Sequence, residues 1–479
     1  MTPPSLHHTL AAAIVLFSAD AFAQVPSPPS DTLRLSIEKC IEIALDENPT
    51  VKVADMEITR LDYSKKETIG QLLPTVSFGG TYSRTLEKQT MYMDGFGASG
   101  GTSSAGGESG ADGEKSASRA SSRPASGIKV GRDNSYSLGF SASMPLIAPQ
   151  LWKTLDLSES RILESVEKSR QSRLQLINQV KNAYYTLLLA EDTHRTVLES
   201  YDMAKLTADI YQKRHSLGTA SDYDVLRTQV ALQNVEPELT QAVIAIRQAR
   251  LQLAVLLGFD TAIAISPTQK LSDYEETMYE RALQLSTDIK DNSDMRLLDI
   301  QTRQLNDALK IQKMSWFPTL ALSANYNWTA MNNGSPFKNL RWTPYSMIGL
   351  TLSVPLFEGG QRYSRIKQAR IQVEEMKWQR DNLQRTISMQ AEVALDNINL
   401  NVKQIASCAR SIEQAERAHT IQKESFDIGA TTYLDLRDSE LALTRSRLAY
   451  YQSVYNYLTG CSDLELLLGK DIPPTAKPL

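Results

Sequence analysis

The sequence predicts an internally duplicated fold in which four membrane-type β-strands per chain are joined to long coiled-coil helices. Three observations carry that expectation. Short segments alternate apolar with small polar residues, two stretches run helical without interruption over 148–214 and 359–426, and the whole pattern occurs twice. Gly139 and Gly349, Pro145 and Pro355, and Gln212-Lys213 and Gln422-Lys423 stand 210 residues apart. Gly218 and Gly429, Asp224 and Asp435, and Gly258 and Gly469 stand 211 apart. So constant an offset marks one duplicated unit with a single-residue insertion just before the helix break.

In 479 residues, 42% hydrophobic and 22% charged, there is room for several domains, and a net charge of −4 gives no electrostatic footprint for nucleic acid. Residues 1–23 read as a secretory signal peptide: Leu10 to Phe17 is a short apolar core and Ala21-Phe22-Ala23 a cleavage pattern, making Gln24 the first mature residue. The leading segment carries His7 and His8 instead of the usual Lys or Arg. After it, no apolar run reaches the roughly 18 residues of a membrane helix, so any membrane span is expected to be β. Cys408 falls on a helix seam with Ile405 and Ile412 and reads as a small core residue, while Cys40 and Cys461 can pair only if the two chain ends meet.

The first structural repeat is expected over 24–254 and the second over 255–479. Leu35 to Leu45 reads as a short amphipathic helix stopped near Asn48-Pro49, and Thr50 to Leu73 as another. At Leu73-Pro74-Thr75 the period changes to two: Val76, Phe78 and Tyr82 face one way and Ser77, Thr81 and Ser83 the other, giving a strand over about 75–90. Residues 91–134 are a Gly/Ser/Ala-rich loop. A return strand over about 134–145 alternates Tyr136, Leu138, Phe140, Ala142 and Met144 with Ser135, Ser137, Gly139, Ser141 and Ser143. The long helix 148–214, about 100 Å at 1.5 Å per residue, breaks at Leu217-Gly218-Thr219 and returns over 221–257. After a connector with Pro267, helices are expected from Tyr274 to Leu285 and from about Asn292 to Phe317.

The second repeat then opens with Phe317-Pro318-Thr319. Its strands fall at about 319–329 and 345–355, its long helix at 359–426 and its return helix at 432–460. Proline donates no ladder hydrogen bond, so Pro355 marks the end of strand pairing, and Gly359-Gly360 lets the chain turn before the helix starts. Pro74, Pro145, Pro318 and Pro355 thus read as four strand–helix joints. Along 359–426, Ile366, Ala369, Val373 and Met376, and later Ile398, Val402, Ile405 and Ile412, step by three and four as a coiled-coil seam whose other faces are polar.

Four strands do not close a barrel, and every edge of a sheet in lipid must be paired, so several chains are expected to pool their strands. Tyr82, Tyr136, Tyr326 and Trp328 lie towards the loop ends, where an aromatic girdle would stand. No enzyme chemistry is expected: His194, His215 and His419 are scattered along helices without metal-ligand spacing, and no glycine loop follows a strand to cradle phosphate. No catalytic, metal or cofactor residue is assigned.

Leu73-Pro74-Thr75 opening a strand, the run Ser353 to Gly360, the run Gly429 to Asp438 and the duplication together resemble the TolC-type outer membrane factors, over nearly the whole mature chain. The resemblance implies a mixed membrane β-barrel and α-helical barrel, a 12-stranded barrel built by a homotrimer and continued by a periplasmic tunnel. It implies a passive outer membrane channel of a tripartite efflux or type I export system, with outer membrane lipid around it. A periplasmic adaptor (membrane fusion protein) and an inner membrane transporter would be its partners. The alternative reading is a periplasmic coiled-coil adaptor or scaffold; the two strand pairs argue against it.

By the same resemblance the two helix breaks are the periplasmic turns, acids six and nine positions after the second glycine ring a closed tip, and the acid six positions after the first glycine joins a tethering network; Asp435, Asp438 and Asp224 stand at those positions. Like charges from three chains would form a cation-attracting constriction. Ser221-x-x-Asp224 and Thr432-x-x-Asp435 are also capping-box spacings, and the two roles are compatible. Thr431 and Phe426 stand where the family has a tethering Arg and Tyr, so any latch uses other residues; Arg227, which the offset of 211 sets against Asp438, is a candidate partner for an acid across the tip. The turns carrying Gly218, Thr219, Gly429 and Ala430 resemble the adaptor-contact region, although each glycine also suits a plain left-handed turn.

Overall fold

Period-two and helical stretches sort into the elements expected of them. The computed structural model describes residues 32–91, 128–260, 264–274 and 288–470; the signal segment 1–23, most of the loop 91–134 and nearly all of the helix expected at Tyr274 to Leu285 lie outside them. In chain order the strands are β1 (Thr32–Leu35), β2 (Thr75–Arg84), β3 (Gln89–Met91), β4 (Ile128–Val130), β5 (Asn134–Ile147), β6 (Ala264–Pro267), β7 (Thr319–Asn332) and β8 (Thr343–Ser353). The helices are α1 (Ile37–Glu47), α2 (Pro49–Gly70), α3 (Pro149–Ser216), α4 (Asp222–Leu256), α5 (Ser293–Met314), α6 (Gln361–Asp427) and α7 (Tyr433–Leu468). Two compact units result, and each draws on both halves of the chain.

One unit, Asp55–Lys168 with Asp294–Gln384, holds an antiparallel sheet in the order β2-β5-β7-β8. Its register aligns Phe78 with Phe140 and Tyr326, and Val76 with Ala142, Ala324 and Ile348, so the apolar alternation of all four strands falls on one face. That face is exposed in the chain, with Val76 at 69%, Leu352 at 64% and Ile348 at 78%. The other face carries Ser77 hydrogen-bonded to Ser141 at 2.7 Å and Thr75 to Ser143 at 2.9 Å. Gly139 is required there, since a Cβ would run into the Asn327 side chain and the Tyr326 carbonyl. Among the described residues, β2 and β8 each pair on one side only.

Two expectations about the strands are corrected. The strand placed at 75–90 is two pieces: β2 stops at Arg84, and β3 pairs with β4 in a separate ribbon. The strand placed at 134–145 passes through Pro145 to Ile147, so Pro145 is not the end of pairing. β2 leaves β5 after Ser143, and a register shift between Pro145 and Ile147 absorbs the missing donor against β7. Pro355, by contrast, does lie just beyond β8. Its carbonyl accepts from Arg362 at 2.9 Å, and the same buried guanidinium meets Glu358 at 2.8 Å and lies over the Trp316 ring. Gly359 and Gly360 both take left-handed φ, 59° and 78°, which is how the chain swings into α6. Pro74 and Pro318 sit immediately before β2 and β7.

The other unit contains the remaining helical segments and the parallel pair β1–β6. Its core gathers Cys40 and Ile41 of α1, Tyr184 and Leu187 of α3, Leu253 of α4, Ile398 and Ile405 of α6, and Tyr457, Cys461 and Leu464 of α7. Ile398 and Ile405 are the predicted seam. The return helix expected to stop at 460 continues to Leu468, because Gly460 lies against Ile398 and the following residues bury Cys461, Leu464 and Leu468. Gly469, at φ 67°, ends it. Cys40 and Cys461 both belong to this core, as thiols and not as a disulfide, and burial pushes the Cys40 thiol up to about 12. None of the described helices is long and apolar enough to cross a membrane.

Candidate functional site

Each long helix ends in the same backbone device. The N–H of Thr219 donates to the Arg214 carbonyl and that of Gly218 to His215, both at 2.8 Å; Ala430 donates to Ser425 at 2.8 Å and Gly429 to Phe426 at 3.0 Å. Both are Schellman motifs that satisfy the last helix carbonyls, and both need φ above zero: 71° at Gly218 and 79° at Gly429.

Three residues later each return helix starts with a capping box. Ser221 accepts from Asp224 N at 3.2 Å, and the Asp224 carboxylate takes the Ser221 hydroxyl at 2.7 Å and the Ser221 N–H at 3.3 Å. Thr432 and Asp435 repeat this at 3.3, 2.6 and 3.3 Å, and Thr431 adds its hydroxyl to Asp435 at 3.1 Å. The Thr432 hydroxyl and N–H, then the Thr431 hydroxyl, hold the Asp435 carboxyl below the usual carboxylate range. Asp224 and Asp435 are therefore helix caps in this chain, as their spacing anticipates. Asp438 stands one turn further along α7, exposed and outside the cap.

The turns are joined by side chains of which the sequence singled out only Phe426 and Arg227. Tyr211, Phe426 and Leu436 are buried together, with Ala220 and Tyr433 against them. Tyr211 meets Tyr433 edge-on at 5.6 Å between centroids and Phe426 at 6.4 Å. The Arg214 guanidinium lies 5.6 Å from both the Tyr211 and Phe426 ring centres, and Arg227 lies 5.5 Å from that of Tyr433. Arg227 thus stacks on an aromatic ring of α7, and it forms no ion pair with an acid among the described residues. At the first turn His215 Nε2 also meets Asp222 at 2.6 Å. Beyond the resemblance that marks Phe426, the sequence signal for this cluster is that Tyr211 and Phe426 sit within two turns of a glycine stop.

This arrangement has no nucleophile–base pair, and among the described residues no group of three His, Cys, Asp or Glu side chains is spaced to hold a metal. What it does is hold two helix hairpins at their ends by aromatic and cation–π contact, with Asp438 exposed one turn further along.

The chain matches the family described as outer membrane efflux protein over residues 40–259 and 285–470. It is similar to the outer membrane protein TolC of Vibrio cholerae, 24% identical over 70% of this chain and 76% of that protein. It is similar also to the pyoverdine export outer membrane protein OpmQ of Pseudomonas aeruginosa, 23% identical over 71% and 73%. Its fold matches the CmeC outer membrane channel of Campylobacter jejuni with a TM-score of 0.69 at 17% identity, covering 96% of this chain and 94% of that one.

Proposed function

The chain belongs to the outer membrane efflux protein family, and from that premise we propose that it is the outer membrane channel of a tripartite efflux or type I export system. The observation that carries this reading is the four-stranded sheet: one continuous apolar face open to the surroundings, one hydroxyl- and amide-lined face, and two edges each lacking a neighbour. A sheet of that kind is stable in lipid only when its edges close on further copies. Three copies give 12 strands. Exposed apolar stripes on α4 (Tyr223, Leu226, Val230, Ile244) and on α6 (Val393, Leu400, Ile421) support the same homotrimer, since each is a helix face without a partner among the described residues. The adaptor alternative has no use for such a sheet.

In this reading the duct is passive, the hairpin turns at Gly218-Thr219 and Gly429-Ala430 receive the periplasmic adaptor, and an inner membrane transporter supplies the cargo. Asp438 faces the axis of the closed tip, where three copies concentrate negative charge and favour cations. Arg227 tempers that charge from its seat on Tyr433.

Planar-bilayer recording of the purified protein tests both levels. A cation-preferring pore of low conductance is expected, losing that preference in Asp438→Ala and strengthening it in Arg227→Ala. Absence of any pore sinks the channel reading; a pore indifferent to both substitutions removes the gate residues and leaves the channel.

A further inference from the structure

Between α3, α6 and α7 lies a cavity of about 370 Å³. α3 contributes Glu199 and Asp202, α6 contributes His419 and Lys423, and α7 contributes Glu440 and Arg447. Glu440 is the unusual member. Its side chain is only 11% exposed, and among the described residues its buried Oε1 accepts no hydrogen bond and its ion-pair partner, Arg437 on its own helix, stays 4.0 Å away. The guanidinium that would most naturally answer it is committed elsewhere: Arg447 spans from Glu199 at 2.6 Å to Glu416 at 2.9 Å. His419 is also engaged, with Nδ1 3.3 Å from the Ser439 hydroxyl.

A carboxylate with one oxygen buried without a donor is costly to keep charged, and the cheapest remedy is to neutralise it. We propose that Glu440 is a proton-binding site of the helical arm, taking one proton from solvent when α3, α6 and α7 close over it and returning that proton when they part. Burial pushes its carboxyl above the ordinary 4.5, with Arg437 and Lys423 pulling the other way. The sign follows. A group raised in the packed state adds stability that is complete below 4.5 and disappears as pH climbs through the raised value, so acid tightens the three-helix packing and neutral pH loosens it. His419 acts in the opposite sense: burial, then Lys423 and Arg447, push it below its ordinary value, so its contribution is lost only as pH falls through that lower value. Neither statement depends on the chain conducting anything.

The test is hydrogen exchange of the full-length protein in detergent, followed by mass spectrometry of peptides covering 196–203, 419–423 and 440–447. The pH runs from about 5 to about 8, with the intrinsic pH dependence of exchange divided out. One released proton makes protection fall by up to about tenfold per pH unit. Glu440→Gln, of the same shape and always neutral, should remove that fall and keep the protection seen in acid. Lys423→Met, which takes away a cation favouring the carboxylate, should move the midpoint of the remaining fall to higher pH. A Glu440→Gln profile that follows the unmodified protein, or a Lys423→Met midpoint that stays put or drops, overturns the assignment.

Discussion

The turns at Gly218 and Gly429 share a backbone and differ in chemistry. Both close with a Schellman motif, both restart with a capping box three residues on, and both bury an aliphatic side chain one turn later, Val225 in one and Leu436 in the other. Around that common frame the side chains diverge. The second turn supplies Phe426 and Tyr433 to the aromatic cluster, whereas the corresponding stretch of the first turn offers His215 and Asp222, which pair with each other. At the next helical turn the repeats carry opposite charges, Arg227 and Asp438. Duplication therefore preserved what the backbone needs to reverse direction and left the solvent-facing and hairpin-joining positions to differ.

If the second turn is the one that locks the hairpins, the largest effect should come from its aromatic anchor. Phe426→Ala removes a buried ring from a small cluster and should weaken local protection in peptides covering 208–214 and 425–436 by about 3 kcal/mol. The matching truncation at the first turn, Val225→Ala, loses two methyl groups and should cost about 1.5 kcal/mol, confined to its own hairpin. Hydrogen exchange reads both; equal losses would mean that the cluster joins nothing. A smaller and symmetrical effect is expected for the glycines. Nothing lies within 4 Å of a Cβ at either position, so Gly218→Ala and Gly429→Ala should each cost only the left-handed backbone penalty, about 1 kcal/mol, seen as faster exchange at the turn. A clear inequality would mean that one turn is held by something beyond its own backbone.

The common frame was legible before any coordinates, and the difference was not. Period-two alternation announced the strands, the offsets of 210 and 211 announced the repeat, and Ser221-x-x-Asp224 and Thr432-x-x-Asp435 announced the caps, because each is a local rule read within a few residues. Tyr211 meeting Phe426 joins positions more than 200 residues apart in a sequence without a shared motif, and Arg447 reaching Glu199 does the same. Two local expectations failed for a physical reason. Proline implied a strand end at Pro145, where β5 borders only β7 and a register shift takes up the missing donor. The return helix expected to stop at 460 runs on, using the small Gly460 there to lie against Ile398. The buried Arg362 that secures the Pro355 joint left no pattern at all.

The finest expected distinction is between the two caps. Asp435 receives the Thr431 hydroxyl in addition to the capping box, while Asp224 has Ser221 alone as its hydrogen-bond partner within the turn. Removing the N-cap oxygen should cost about 1 kcal/mol in either helix. In Thr432→Ala, however, Thr431 stays to hold the carboxylate, so the loss should be smaller than in Ser221→Ala by a few tenths of a kcal/mol. The pH dependence gives a second reading of the same contrast. A carboxyl held below its ordinary 3.8 stabilises the start of α7 above that value, and the contribution is lost as pH falls through the lowered one. Thr431→Val should bring this acid loss at α7 to higher pH without touching α4. If exchange at the start of α4 shifted with it, the two caps would be coupled and the second turn would owe nothing to Thr431.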